Sequence, residues 1–251
     1  MVELKDASFR YGGVLAFKGL SFKLEKGEKV VLLGVNGAGK STLLKVLNGL
    51  LFLSEGVYLY KDREISKKTL KDKNFLKLFR KETALLFQNP DSMLFNPTVY
   101  DELAFNLRRL GFPDKEIKER VLYWAEKCSL LPFLEKPPFE LSGGQRQKLA
   151  LACLLPQEPE LLLLDEPTAH LDPRSTGWLI DLLWELPCTI VTATHNLSLA
   201  MELGSRAIVL SEDHGLLYDG GVEDFLKSKE LLFKAGFVHK HGRRGEHFHF
   251  F

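Results

Sequence analysis

The chain has 251 residues and a formal net charge of +1. That is enough length for one large α/β domain or two small ones, and too little positive charge for a global field that gathers nucleic acid. Cys128, Cys153 and Cys188 are widely spaced and form no CxxC pair, which argues against a disulfide framework or a zinc site and fits a reducing cytoplasm. The opening Met1-Val2-Glu3-Leu4-Lys5-Asp6 lacks a charged-then-apolar signal pattern, and no apolar run approaches the roughly 18 residues of a membrane span. Membrane association is therefore expected only through a partner.

Apolar and polar residues alternate in Val2-Glu3-Leu4-Lys5 and in Leu20-Ser21-Phe22-Lys23-Leu24, with Tyr11-Gly12-Gly13 as a turn between them. This predicts antiparallel strands. Tyr11, at the turn, either stacks on an adenine base or covers the edge of the core. Next, Lys29-Val30-Val31-Leu32-Leu33 reads as a buried strand and Ser41-Thr42-Leu43-Leu44-Lys45-Val46-Leu47 as a helix. Between and overlapping them, Gly34-Val35-Asn36-Gly37-Ala38-Gly39-Lys40-Ser41-Thr42 matches G-x-x-x-x-G-K-[S/T], the phosphate-binding loop, in the strand-to-helix setting that the motif needs. Glycines let such a loop wrap an anion with successive backbone N–H groups and the positive end of the helix. Asn36, Gly37, Gly39, Lys40, Ser41 and Thr42 are thus the predicted phosphate-binding residues. Lys40 reaches the β- and γ-phosphates and stabilises charge, and the Ser41 hydroxyl ligates Mg²⁺.

Val57-Tyr58-Leu59-Tyr60 reads as another strand, and the Lys-rich residues 61–81 as a solvated helix and loop surface. Thr83-Ala84-Leu85-Leu86-Phe87 is a buried strand that delivers Gln88 to its C-terminal end, where open α/β sheets place their ligands. Helical spacing over residues 99–109 and 114–128, broken by Gly111-Phe112-Pro113, predicts a helical subdomain inserted into the core. Leu161-Leu162-Leu163-Leu164 is a strand ending in Asp165 and Glu166, the form of a Walker B motif. Asp165 holds Mg²⁺ and Glu166 orients and activates the attacking water. A helix over 174–185, a strand over 188–192, a helix over 197–203 and a hairpin from 206–210 to 215–218 follow. Residues 222–236 form short helices. The tail from His239 to Phe251 is rich in His and Phe and either binds metal or is a mobile or partner-docked terminus.

Leu141-Ser142-Gly143-Gly144-Gln145, standing between the phosphate loop and the acid pair, resembles the LSGGQ signature of the ATP-binding-cassette (ABC) ATPases. A Ser hydroxyl and small glycines at a helix N-terminus make a second anion site. The resemblance covers about residues 1–220. It implies an α/β fold: a P-loop NTPase core with an N-terminal antiparallel β subdomain and an inserted α-helical subdomain at about 90–155. A short helical extension and tail then occupy 221–251. It also implies ATP and Mg²⁺ as cofactors. Glu166, His195, Lys40 and Gln88 become the catalytic set, with His195 the switch histidine and Gln88 the Q-loop residue that also touches the metal beside Ser41 and Asp165. Tyr11 is the adenine-stacking aromatic. Ser142, Gly143, Gly144, Gln145 and Asp172 contact nucleotide across a dimer. Ala169-His170-Leu171-Asp172 departs from the common SALD of the D-loop but keeps its aspartate. Two such domains, identical or not, pair head to tail with ATP between them.

Gln88-Asn89-Pro90-Asp91-Ser92-Met93-Leu94-Phe95, followed by Thr98-Val99, is similar to the segment after the Q-loop in energy-coupling-factor (ECF) transporter ATPases, including the cobalt-type subgroup. Met93 stands where that group tends to have glutamine. Asp91 either pairs with an arginine of a coupling helix or caps a Pro-Asp turn. The implied protein is an ATPase subunit at the cytoplasmic face of the membrane, working with a transmembrane coupling subunit and a membrane substrate-binding subunit in vitamin or transition-metal uptake. The alternatives are another ABC importer class, a soluble ABC ATPase, and a non-hydrolysing cassette. The absence of coiled-coil insertions weighs against the second, and the intact Lys40, Glu166, His195 and LSGGQ against the third.

Overall fold

The computed structural model describes residues 1–241 and 245–248, with side chains as far as Val238. The elements, in order, are β1 (Val2–Tyr11), β2 (Val14–Leu24), β3 (Lys29–Leu33), α1 (Lys40–Leu47), β4 (Glu55–Tyr60), β5 (Arg63–Glu64), α2 (Lys73–Glu82) and β6 (Thr83–Leu86). Three helices follow, α3 (Val99–Leu110), α4 (Asp114–Lys127) and α5 (Gly143–Ala152), before the strands resume. The second half runs β7 (Leu161–Asp165), α6 (Pro173–Glu185), β8 (Thr189–Thr194), α7 (Ala200–Leu203), β9 (Arg206–Leu210), β10 (Leu216–Gly221), α8 (Val222–Lys227) and α9 (Lys229–Lys234). A backbone hairpin of β11 (Val238–His241) and β12 (Gly245–Phe248) follows.

Two sheets organise these elements. One is antiparallel, in the order β2-β1-β4-β5; the other has the order β10-β9-β3-β8-β7-β6, parallel except for the edge strand β10. Strand residues alternate faces, so a strand buried on both sides must be apolar throughout. This is why Val30 and Leu32 of β3 and Leu161 and Leu163 of β7 join one core, with the antiparallel sheet, α1 and α2. Val31, Leu33, Leu162 and Leu164 join a second core on the other face, against α3 to α7. Each of these fully buried leucines contributes about 1.5–3 kcal/mol relative to exposure, and β8, paired with both β3 and β7, sets their ends side by side.

The Lys-rich stretch is less superficial than its composition indicates. Asp72 caps α2 by accepting from the Asn74 and Phe75 N–H groups. Phe75 and Phe79 are buried one helical turn apart, and Arg80 donates to the Asn48 carbonyl at 2.7 Å. Thr98 caps the start of α3, and Gly111, at φ +84°, ends it. All three cysteines are free and buried, and burial pushes the Cys128 thiol up to about 12. Among the described residues no helix is long and apolar enough to cross a membrane. The side chains of the His/Phe-rich tail from His239 onward lie outside the described residues, and with them its metal-or-docking reading.

Candidate nucleotide site

The phosphate loop leaves the C-terminal end of β3 in the middle of the larger sheet. Gly39 has φ +101°, and a Cβ there would lie 2.2 Å from the Ala16 carbonyl oxygen, so only glycine fits. The loop closes under its own lysine: Lys40 Nζ donates to the Gly34 carbonyl at 2.6 Å and to the Val35 carbonyl at 3.1 Å. Burial pushes the Lys40 ammonium below its ordinary value, against the pull of the Glu166 and Asp165 carboxylates.

A cavity of about 360 Å³ opens over this loop and gathers most of the predicted residues. Asn36, Gly37, Gly39, Lys40, Ser41 and Thr42 line its floor, Gln88 arrives from the end of β6, and Asp165 and Glu166 arrive from the end of β7. Tyr11 forms one wall. Its hydroxyl lies 3.4 Å from Thr42 Oγ1, its ring meets Phe9 edge-on at 4.8 Å, and the side chain is 47% exposed. The half-exposed ring thus packs on the buried Phe9 and also borders the cavity. A larger hollow of about 990 Å³ between α4 and α6 holds none of the motif residues. Its rim charges are largely spent on one another, Arg120 with Glu116 and Glu158 and Lys127 with Glu185.

The acid pair is divided in environment. Burial pushes the Asp165 carboxyl above the usual carboxylate range, opposed by a hydrogen bond from the Ser41 hydroxyl. Two oxygen donors therefore converge beside Gln88, a donor set suited to a hard cation that keeps water and phosphate ligands. Glu166 has φ +47°, a left-handed backbone uncommon outside glycine and frequent at functional sites. Its carboxylate accepts from Thr194 Oγ1 at 2.9 Å and from the His195 backbone N–H at 3.0 Å, and contacts His195 Nδ1 at 2.6 Å. Both groups come from the end of β8, so the strand order alone brings Glu166 and His195 together. Thr194 was not foreseen; its only trace in the sequence is its place at a strand end just before His195.

The signature residues lie elsewhere. Ser142 is the N-cap of α5 and forms a capping box with Gln145, 2.8 Å from the Ser142 N–H to Gln145 Oε1 and 3.3 Å from the Gln145 N–H to Ser142 Oγ. Ser142 and Gly143 face solvent, and neither they nor Gly144 nor Gln145 line the cavity of their own chain. Asp172 is exposed and caps α6; the Ser175 N–H and hydroxyl, each at 2.9 Å, hold its carboxyl below the usual range. Gln147 Nε2 donates to the Pro167 carbonyl at 3.0 Å, which ties α5 to the loop after Glu166.

The segment after Gln88 is tightly built. Asn89 caps a 3₁₀ turn over Pro90–Ser92, and the Met93 sulfur accepts from the Phe87 N–H at 3.5 Å, a weak contact in place of a polar one. Glu102, buried on α3, accepts from the Phe95 and Asn96 backbone N–H groups and from Asn96 Nδ2 at 2.8 Å. Asp91 faces its own chain's Arg146 at 2.8 Å, so the arginine first met by this aspartate belongs to α5.

Fold and cavity together define an ATP-binding cassette, and the chain belongs to the ABC transporter family: the family model of that description matches residues 17–169. It is an ATP-hydrolysing cassette, the ATPase subunit of a transporter. A putative ABC transporter ATP-binding protein of Methanosarcina acetivorans is 42% identical over 95% of this chain and 89% of its own length. The energy-coupling factor transporter ATP-binding protein EcfA of Methanocaldococcus jannaschii is 40% identical over 94% of this chain and 84% of its own. Among solved structures, CbiO1 of Clostridium perfringens, described as part of the ABC transporter complex CbiONQ, aligns with a TM-score of 0.79 at 30% identity over 94% of both chains. A dimeric cassette in a post-hydrolysis state with ADP and phosphate aligns with a TM-score of 0.79 at 28% identity, over 88% of this chain and 99% of that one.

Proposed function

We propose that this chain powers uptake of a micronutrient, a vitamin or a transition-metal ion, as the ATPase subunit of an ECF-type transporter, with two such subunits closing head to tail on ATP. The observation that carries the dimer reading is the division of the site. The phosphate loop, Gln88, Asp165 and Glu166 share one cavity, while Ser142 and the open end of α5 face outward. One protomer thus holds half of a transition-state cradle, which a second completes.

In this reading Lys40 and the loop amides bind the triphosphate and Tyr11 stacks on adenine. Glu166 accepts a proton from the attacking water, and His195 orients Glu166. Ser41, Asp165 and Gln88 hold Mg²⁺, which supplies charge neutralisation on the phosphates. Ser142, Gly143, Gly144, Gln145 and Asp172 meet the nucleotide of the other protomer.

The Asp165 role carries a pH signature. Metal binding needs the carboxylate, and a raised Asp165 value means that protons compete at higher pH than at an exposed aspartate. The Mg²⁺-dependent part of the stabilisation by a non-hydrolysable ATP analogue is expected to shrink as pH falls through the raised Asp165 value, and to be small throughout in Asp165→Asn. Without metal the sign reverses. The folded chain binds this proton more tightly than the unfolded one, so the Asp165 contribution favours folding at low pH and is lost as pH rises through its folded value. Thermal unfolding with and without Mg²⁺ in both chains checks the two trends.

The ECF assignment is supported by the Gln88-Asn89-Pro90-Asp91 segment and by the similarity to EcfA and CbiO1. Although Asp91 pairs with Arg146, its side chain is 58% exposed and has an oxygen left for a basic side chain of a membrane coupling subunit. The chain then sits at the cytoplasmic face of the membrane through its partners and needs no nucleic acid. Isolation of the native complex tests this: a membrane coupling subunit and a small membrane substrate-binding subunit are expected to co-purify, and Asp91→Ala is expected to uncouple uptake from hydrolysis. Recovery of the chain without membrane partners overturns the assignment.

A further inference from the structure

Arg146 occupies a position that the motifs do not account for. It is the residue after Gln145 in the first turn of α5. Its Nη1 donates at 2.6 Å to the carbonyl of Leu141, the residue immediately before Ser142. Its Nε is buried and lies 2.8 Å from Asp91 Oδ1, a charge contact without good hydrogen-bond alignment. One guanidinium therefore grips both the start of the signature loop and the turn that follows Gln88. That turn is itself well fixed: the Asp91 N–H donates to Asn89 Oδ1 at 3.0 Å, the Ser92 hydroxyl to the Asn89 carbonyl at 2.7 Å, and Pro90 is buried. Gln88, one residue earlier, lines the phosphate cavity. An unbroken physical connection thus runs from the cavity through Gln88 and Asn89 to Asp91, across to Arg146, and on to Leu141 and Ser142.

We propose that Arg146 is a positioning residue for the signature loop and that Asp91 sets it, so that the segment following Gln88 controls how Ser142 and the open end of α5 are presented to the partner protomer's nucleotide. A buried guanidinium nitrogen needs a compensating charge, and Asp91 is the carboxylate placed against it. When a second cation draws on the Asp91 carboxylate, the charge held against Arg146 weakens, and the guanidinium that holds the Leu141 carbonyl is less firmly placed. The same aspartate can in this way report contact with a basic partner to the trans half of the ATP site. The proposal rests on the two-protomer reading above.

The test uses the full chain without membrane partners and compares wild type, D91N, R146A and D91N/R146A. Two quantities are measured: the affinity of a single chain for a fluorescent ATP analogue at low protein concentration, and kcat and KM of ATP hydrolysis at concentrations where dimers form. Nucleotide affinity of the single chain is expected to stay within twofold in all variants, because none of these atoms lines the cavity. The kcat is expected to fall about tenfold in R146A, which loses a charge-assisted bond to Leu141, and about threefold in D91N, whose partly exposed charge is screened. The decisive comparison is the double variant. Its kcat should equal that of R146A, because Asp91 acts only through Arg146. A double variant in which the two losses multiply overturns the proposal, as does an R146A whose kcat stays within twofold of wild type. D91N changes an exposed group and keeps the test valid if R146A fails to fold: a D91N kcat equal to wild type then counts against the link. Wild-type hydrolysis that does not rise more than linearly with protein concentration overturns the two-protomer reading instead, a result separable from any of these.

Discussion

Replacing Glu166 by glutamine is expected to lower ATP turnover by about 10²- to 10⁴-fold, the range of a lost general base, while leaving ATP affinity nearly unchanged. The geometry explains the separation. The Glu166 carboxylate touches no part of the phosphate loop's own hydrogen bonding; its partners are Thr194 and His195 on the neighbouring strand. A glutamine carbonyl still accepts from the His195 backbone N–H, and its amide can donate to Thr194 Oγ1, so the left-handed turn at residue 166 keeps its support. What disappears is the ability to take a proton from water. Hydrolysis is then blocked after closure, and the chain should run as a dimer in the presence of ATP and as a monomer with ADP. Size-exclusion chromatography with ATP, together with a phosphate-release assay, reads both effects. An Glu166→Gln chain that stays monomeric with ATP would remove the trapped-dimer mechanism, and one that hydrolyses at the native rate would remove Glu166 as the base.

Much of this site was legible because its positions are fixed by backbone topology. The runs 30–33 and 161–164 can only be central strands, since they are apolar on both faces, and once β3 and β7 are neighbours of β8 the residues at their ends must converge. Lys40, Asp165, Glu166 and His195 follow from that. The illegible part consists of polar side chains that act through tertiary contacts. Glu102 sits on an amphipathic helix where a glutamate reads as solvated, yet the turn at residues 95–96 folds over it and its carboxylate is buried. Gln147 and Arg146 look like the polar face of α5 and instead fasten that helix to the loop after Glu166 and to Asp91. In α2 the lysines dominate composition, and two phenylalanines a turn apart decide which side is buried. In each case the hydrophobic pattern specifies the face of the element, and a partner distant in sequence specifies what the polar residue does.

Lys40→Ala is expected to produce a different kinetic pattern, a loss of affinity beside the loss of chemistry. In the free chain Lys40 is 7% exposed, its ammonium held by two loop carbonyls, with the charges of Glu166 and Asp165 nearby. Its burial lowers its proton affinity, and a triphosphate arriving in the cavity restores a strong counter-charge, so nucleotide and ammonium stabilise each other. Removing the side chain deletes charge-assisted hydrogen bonds to the phosphates and leaves a repulsive pair of acids facing them. ATP affinity should fall about 10²-fold, roughly 3 kcal/mol. Arginine is not expected to restore it, because the planar fork is too wide to lie beneath the Gly34 and Val35 carbonyls where an ammonium fits. The decisive combination is Lys40→Ala with Glu166→Gln. If ATP held by Lys40 is what brings two chains together, the double variant should stay monomeric at ATP concentrations that fully dimerise Glu166→Gln alone. A double variant that dimerises as readily as the single one would mean that closure is driven by contacts outside the phosphate loop.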